Sequence, residues 1–334
     1  MILNPSIFLI ESPLQLFNAI EAKNYFNLKN CKLIVVYSLN DYSNTQIDQL
    51  LDYYSNWNEI YKIFPIEKKY FRIRITKYII DELKKISEVI KNVYYLFIGD
   101  YRPDFMIHFG NIVKCNKLII LDDGTATIDI MKDYLNVDKK RKLKFFLKKY
   151  LFDFKLNKNN DVEFFSIYSN LLLNHKIIHN SYQYFREETI ARSINENKVI
   201  FLGSCIVELR AIEQDKYFLY LSKIKEYFSN KEIIYIPHRR ESELKLELIE
   251  NEMNIKIEKT ASIIELYLIK TKNLPFAVTG FFCSALLNLN ILFDGKILIN
   301  SFYINNDDFN EKYAKRFESM YKYYKNNLEI VDNY

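Results

Sequence analysis

Lys117-Leu118-Ile119-Ile120-Leu121-Asp122-Asp123-Gly124 is a short apolar run that ends abruptly in two carboxylates and a glycine. A run of that length bounded by Asp and Gly reads as a buried strand followed by a turn. A second stretch follows the same grammar: the apolar residues 232–236 close in Ile236-Pro237-His238-Arg239-Arg240-Glu241, which sets an imidazole and two guanidiniums after another strand. Ligands of α/β proteins bind beyond the carboxyl ends of the strands. The two strings are therefore expected to be two half-sites facing one cleft.

Further strand-like runs lie at 7–10, 32–37 and 94–98, and then at 198–202, 276–278 and 296–299. Helical stretches at 13–25, 75–90, 208–228, 242–250 and 262–269 separate them. Such alternation predicts parallel sheets wrapped by helices. A chain of 334 residues exceeds what one core usually supports, so two domains are expected. The polar segments 157–161 and 187–197 are candidate connections, the boundary is placed near 185–197, and 307–327 reads as a terminal helix rich in Tyr and Lys. Glycine is scarce, six in the chain, where ordinary usage of roughly 7% predicts more than twenty. Four of the six, Gly99, Gly124, Gly203 and Gly280, stand at or near the ends of apolar runs, where they punctuate strand-to-loop transitions.

Composition narrows the class. No apolar stretch approaches the roughly 20 residues that span a bilayer, and residues 1–10 lack the basic start of a signal peptide; a cytoplasmic protein is expected. The four cysteines, Cys31, Cys115, Cys205 and Cys283, are scattered without a CxxC pair, which argues against a zinc site or a disulfide framework. Net charge is +5, and nucleic acid is not an expected partner. The basic residues cluster in 139–150, seven in twelve positions interleaved with Leu143, Phe145, Phe146, Leu147 and Tyr150. That segment suits either an anionic membrane surface or a solvated helix with one face packed down.

Among the chemistry-bearing residues, Asp122 or Asp123 can act as a general base while its neighbour or a main-chain donor orients it; the same string is also an ordinary turn. His238 with Arg239 and Arg240, at a strand end that opens a helix, is built to receive a phosphate, or is a solvated surface turn. Gly203-Ser204 after the 198–202 run lets a ligand approach the backbone. Glu265 sits within an apolar helix and needs a partner, for which a ribose hydroxyl pair is one option. Cys283-Ser284 starts the next helix and offers free N–H groups and a hydroxyl to an anion, or simply an N-cap.

An acidic pair plus glycine, a histidine string, a glutamate 27 residues after the histidine and a serine 19 residues further on together resemble the bacterial sialyltransferases. Glu11-Ser12-Pro13-Leu14-Gln15, Gly203-Ser204 and Pro237-His238-Arg239-Arg240-Glu241 most resemble glycosyltransferase family 52, the lipooligosaccharide sialyltransferases, related to the bacterial polysialyltransferases. The resemblance spans most of the chain through a handful of residues. It implies an α/β fold of GT-B type, two Rossmann-like domains with parallel sheets facing across a cleft: 1–190 carrying the general base on the acceptor side, 191–306 binding the CMP donor, and 307–334 a helix packing back on the first domain. It implies an inverting, metal-independent transfer of sialic acid from CMP-sialic acid to a galactoside-type hydroxyl on lipooligosaccharide, O-antigen or capsule. Asp122 would be the base and Asp123 its support. His238, with Pro237 and Arg239, Ser284 and the Cys283 backbone would hold the phosphate, Gly203 and Ser204 the donor, and Glu265 the ribose. Ser12 and Gln15 would touch acceptor or sugar.

The chain departs from the family pattern twice: Arg239 stands in place of a proline and Cys283 in place of a serine. Peripheral contact through 139–149 with the inner face of the cytoplasmic membrane, and a homodimer, are further expectations. The alternatives are a transferase of another CMP-activated nonulosonic acid or Kdo, a nucleotide-sugar epimerase or hydrolase, and a non-catalytic nucleotide- or glycan-binding protein.

Overall fold

Strand β1 (Ser6–Ile10) is buried along its whole length, as expected of a strand covered by helices on both faces. In the computed structural model, which describes residues 5–66, 72–90, 93–135, 147–150, 153–156, 162–168 and 176–334, the chain divides into two units, 1–184 with 261–263 and 185–260 with 264–334.

In the first unit, β1 is joined by β2 (Cys31–Val36), β3 (Glu59–Ile63), β4 (Val93–Ile98), β5 (Cys115–Leu121), β6 (Val162–Ser166) and β7 (Lys176–His179). The order is β3-β2-β1-β4-β5-β6-β7, all pairs parallel. The chain reverses its winding direction between β1 and β4, which places a crevice beyond their carboxyl ends. Helices α1 (Pro13–Tyr25), α2 (Asp41–Tyr53), α3 (Arg72–Val89), α4 (Asp104–Ile112) and α5 (Ala126–Leu135) make the crossovers. Ser12 caps α1, its hydroxyl accepting from the Gln15 N–H, with Pro13 in the first turn where its missing N–H costs nothing. Phe8 stacks on Phe97 with ring centroids 4.3 Å apart, which locks the two strands that flank the reversal.

The second unit begins within helix α6 (Gln183–Glu187) and holds β8 (Ser193–Leu202), β9 (Glu232–Ile236), β10 (Lys256–Ile257), β11 (Asn273–Gly280), β12 (Leu298–Phe302) and β13 (Glu329–Val331). Their order, β10-β9-β8-β11-β12-β13, repeats the parallel arrangement, with the reversal between β8 and β11. Helices α7 (Gln214–Tyr227), α8 (Glu243–Asn251), α9 (Ile264–Lys270), α10 (Ser284–Phe293) and α11 (Glu311–Lys325) cover it. Within this unit aromatic contacts hold α11: Phe317 stacks on Phe282 at 4.3 Å, and the Tyr321 hydroxyl donates to the Phe302 carbonyl and accepts from the Ile304 N–H. Aromatic residues at helical spacing on α11 meet the aromatic exits of β11 and β12, and that complementarity decides the packing.

Residues 193–197 are strand, where a connection was expected, and Ser193, Ile194 and Asn195 pair with Asn273, Leu274 and Pro275 of β11. The helix expected from 208 begins only at Gln214. No helix among the described residues is long and apolar enough to cross a membrane. Of the basic segment 139–150, residues 139–146 lie outside the described residues, as does the connection 157–161; Lys148 pairs with Asp104.

Candidate functional site

In the first unit the end of β5 turns through Gly124, whose φ of +65° is a left-handed conformation that glycine adopts without strain. Successive residues leave a strand on opposite sides, and the two aspartates diverge accordingly. Asp122 points inward: its carboxylate accepts from the Ser166 hydroxyl at 2.6 Å and the Ile167 N–H at 2.7 Å, and its carbonyl from the Asn18 amide at 3.0 Å. Burial pushes its carboxyl up to about 7 against those hydrogen bonds. Asp123 keeps 22% of its side chain exposed and accepts from the Ser12 hydroxyl at 3.0 Å and from Arg102 Nη2 at 3.2 Å. Its carboxyl is raised by burial and by the neighbouring Asp100, while Ser12 and Arg102 oppose the shift. The residue expected to be the base, Asp122, is thus the buried member of the pair, and the one expected to support it, Asp123, is the partly exposed one. Each Asp122 oxygen already accepts a hydrogen bond in the interior, whereas Asp123 is the more accessible carboxylate of the two.

Sequence reasoning passed over Asp100 and Arg102, which follow β4. Asp100 is buried and accepts from the Arg102 main-chain N–H, Nε and Nη2, so the guanidinium bridges Asp100 and Asp123. The available signal was the glycine-marked exit Gly99-Asp100 after an apolar run. Gln15 is buried, and its side-chain carbonyl accepts from the Glu11 N–H at 2.9 Å, shaping the β1 exit from within.

Because Asp122 holds its proton more tightly when folded than an ordinary carboxylate near pH 4, its contribution to stability is greatest at low pH and is lost as pH rises from about 4 to 7. The magnitude is on the order of a few kcal/mol. Asp122→Asn can still accept from Ile167 and donate to Ser166, and is expected to flatten the stability profile over that window. Urea unfolding at pH 5 and pH 8 checks this; parallel profiles for parent and variant would refute it.

In the second unit, β8, β9 and β11 end on one edge of their sheet. His238 is half-buried and its Nδ1 accepts from the Arg240 N–H at 3.2 Å, which leaves the proton of the neutral ring on Nε2 as a donor. Burial, then the charges of Arg240 and Arg239, hold its pKa below the usual imidazole value. Arg239 and Arg240 are exposed, and Arg240 Nη2 lies 3.2 Å from Cys205 Sγ. Pro237 is half-buried beside them. The Glu241 carboxylate accepts from the His238 main-chain N–H at 2.5 Å. Gly203 pairs its N–H with the Ile236 carbonyl, and buried Ser204 gives its carbonyl to Lys245 Nζ at 3.1 Å. A Cβ on Gly203 would lie 2.2 Å from Glu241 Oε2 and 2.6 Å from the Tyr235 ring. Gly203→Ala is accordingly expected to destabilise the protein by about 1–3 kcal/mol through overpacking, read as a lowered melting temperature.

Glu265 on α9 is buried and accepts from the Asn288 amide at 2.8 Å; burial raises its carboxyl. Asn288, on α10, is the partner that the sequence did not reveal. The cap of α10 is Cys283, with Ser284 as its first residue, and the thiol makes no capping bond. Burial pushes that thiol up to about 11, so it is not a nucleophile at neutral pH. Among the described residues no group of three or more His, Cys, Asp and Glu side chains is placed to hold a metal ion.

No family model matches the chain, and no curated protein matches it. Solved structures do match. The UDP-GlcNAc 2-epimerase of Methanocaldococcus jannaschii superposes with a TM-score of 0.55 at 12% identity, over 98% of this chain and 89% of the other. The S. aureus MnaA–UDP complex gives 0.54 at 10% identity, over 95% and 83%. The UDP-GlcNAc 2-epimerase of Neisseria meningitidis bound to UDP-GlcNAc gives 0.50 at 11%, over 84% and 79%. At such identities the likeness establishes the fold: an α/β protein of GT-B type with two parallel sheets.

Proposed function

We propose that the chain is a nucleotide-sugar-dependent glycosyltransferase, and specifically an inverting sialyltransferase that takes CMP-sialic acid as donor and a galactoside hydroxyl as acceptor. The observation that carries this reading is the pair of strand-end constellations: a reachable carboxylate, Asp123, held by Ser12 and Arg102 in one unit, and a donor-rich loop at His238 in the other. Asp123, rather than Asp122, deprotonates the acceptor hydroxyl. His238 Nε2–H, the guanidinium of Arg239 and the N–H groups at Ser284 neutralise the phosphate as the glycosidic bond breaks. Glu265, its carboxylate steadied by Asn288, is the ribose contact. Donors aimed at charge that grows only in the transition state lower the barrier more than they tighten ground-state binding.

A second reading, a nucleoside-diphosphate-sugar epimerase, is favoured by two features. Two adjacent guanidiniums follow His238, more positive charge than one phosphate diester calls for, and the matching folds include enzymes holding UDP-GlcNAc and UDP. Incubating the purified protein with CMP-sialic acid, with and without lactose, and separately with UDP-GlcNAc, distinguishes the two. Sialylated lactose supports the transferase. Formation of the C2 epimer from UDP-GlcNAc, with CMP-sialic acid untouched, would overturn it in favour of the second reading.

A further inference from the structure

Beneath the His238 loop lies a charged cluster that neither reading uses. The side chains of Glu241 and Lys245 are fully buried, 2.7 Å apart. The Glu241 carboxylate also accepts from the His238 main-chain N–H at 2.5 Å and from the Tyr235 hydroxyl at 2.5 Å. Tyr235 in turn accepts from Tyr217, 2.6 Å away. Lys245 Nζ lies 4.5 Å from the Tyr217 ring centroid and reaches the Ser204 carbonyl at 3.1 Å and Glu208 at 3.2 Å. One ion pair thus ties the exit of β9 to the exit of β8, and it fills the space that Gly203 leaves by lacking a side chain.

Burying two charges costs much of what their attraction returns, so such a pair is a poor source of net stability. Its geometry is better suited to fixing position. Residues 237–242 connect a strand to a helix, and their main chain makes one bond to itself, Glu241 N–H to His238 carbonyl. The far end of the loop has its own ties, Ser242 N–H to Glu208 at 3.0 Å and Arg240 Nη2 to Cys205 Sγ at 3.2 Å. The Glu241 carboxylate ties the near end, at the main chain of His238 itself.

We propose that Glu241, held by Lys245 and Tyr235, is a positioning residue that locks the His238 main chain and so aims the imidazole at the nucleotide phosphate. The proposal rests on His238 being the phosphate contact. Displacing a contact group by about 1 Å costs on the order of 100-fold, and supporting residues behind a ligand-binding group commonly cost 10–100-fold when altered.

The test is a double-mutant cycle on the full chain, reading kcat and KM for the donor that turns over, nucleotide affinity with CMP and with UDP by calorimetry, and melting temperature. Glu241→Gln is expected to lower kcat about 10–100-fold. In the His238→Ala background the same change is expected to cost nothing further, because Glu241 acts only through His238. It should also shift the imidazole NMR signals of His238, identifiable because the chain has only four histidines. Tyr235→Phe, which deletes one hydroxyl, provides the same cycle if Glu241→Gln does not fold. Full additivity with His238→Ala, or an unchanged kcat in both variants, would overturn the positioning role. Normal activity and nucleotide affinity in His238→Ala alone would instead overturn the underlying reading of the site.

Discussion

Asp123→Asn is expected to lower kcat/KM for sugar transfer by about 10²–10⁴, the range that a positioned general base contributes, while leaving the melting temperature nearly unchanged. The side chain is 22% exposed and accepts from Ser12 and Arg102. Asparagine keeps one oxygen to accept from either, so the fold loses little. What it loses is the ability to take a proton. Steady-state transfer from CMP-sialic acid to lactose, with acceptor-independent release of CMP followed in parallel, separates the base from the donor site. Release should persist in the variant, because deprotonating the acceptor plays no part in holding the nucleotide. The partner experiment is Asp122→Asn: retained transfer there, with an altered pH–stability profile, agrees with its interior role. Near-normal transfer in Asp123→Asn together with an inactive, well-folded Asp122→Asn would return the base to Asp122.

His238→Ala is the second large effect. Removing a donor aimed at developing negative charge costs about 10²–10³ in kcat, and the same donor binds the ground-state phosphate, so nucleotide affinity falls as well. The ring is half-buried and its Nδ1 accepts from the Arg240 N–H; the loop, held by Glu241 through the main chain, stays in place without it. Burial and the two arginines hold its pKa below the usual imidazole value and so favour the neutral ring. Nε2 carries a proton in that tautomer and in the imidazolium alike, so activity lost by the variant should be lost at both pH 6.5 and pH 8. Unchanged kcat and unchanged affinity for both CMP and UDP would remove His238 from the site.

The central strands could be read from the sequence because they are buried on both faces and so are continuously apolar. The runs at 7–10, 94–98 and 117–121 become β1, β4 and β5, and 198–202 and 232–236 become the buried half of β8 and all of β9. Edge and partly exposed strands carry no such signature. Strand β3 reads Glu59-Ile60-Tyr61-Lys62-Ile63 with three of five residues exposed, and residues 193–197 are exposed and, Ile194 apart, polar although they lengthen β8. Their strand character comes from pairing, through β2 in one case and β11 in the other. The same division runs through the site. Asp-Asp-Gly and His-Arg-Arg-Glu stood out by residue type at the ends of apolar runs, whereas Arg102, Ser166 and Asn288 are single polar residues distinguished only by what they touch.

Residue types and their spacing alone therefore determined the α/β class, the strand exits that carry chemistry, and the need for glycine where those exits turn. Which of two adjacent aspartates stays accessible was decided only by tertiary structure, because β6 brings Ser166 and Ile167 against Asp122 and draws that carboxylate inside. The function of Glu241 was decided in the same way. In the sequence it is one more charge beside two arginines, and only the fold, by placing Lys245, Tyr235 and the side-chain-free surface of Gly203 around it, turns it into the anchor of the histidine loop.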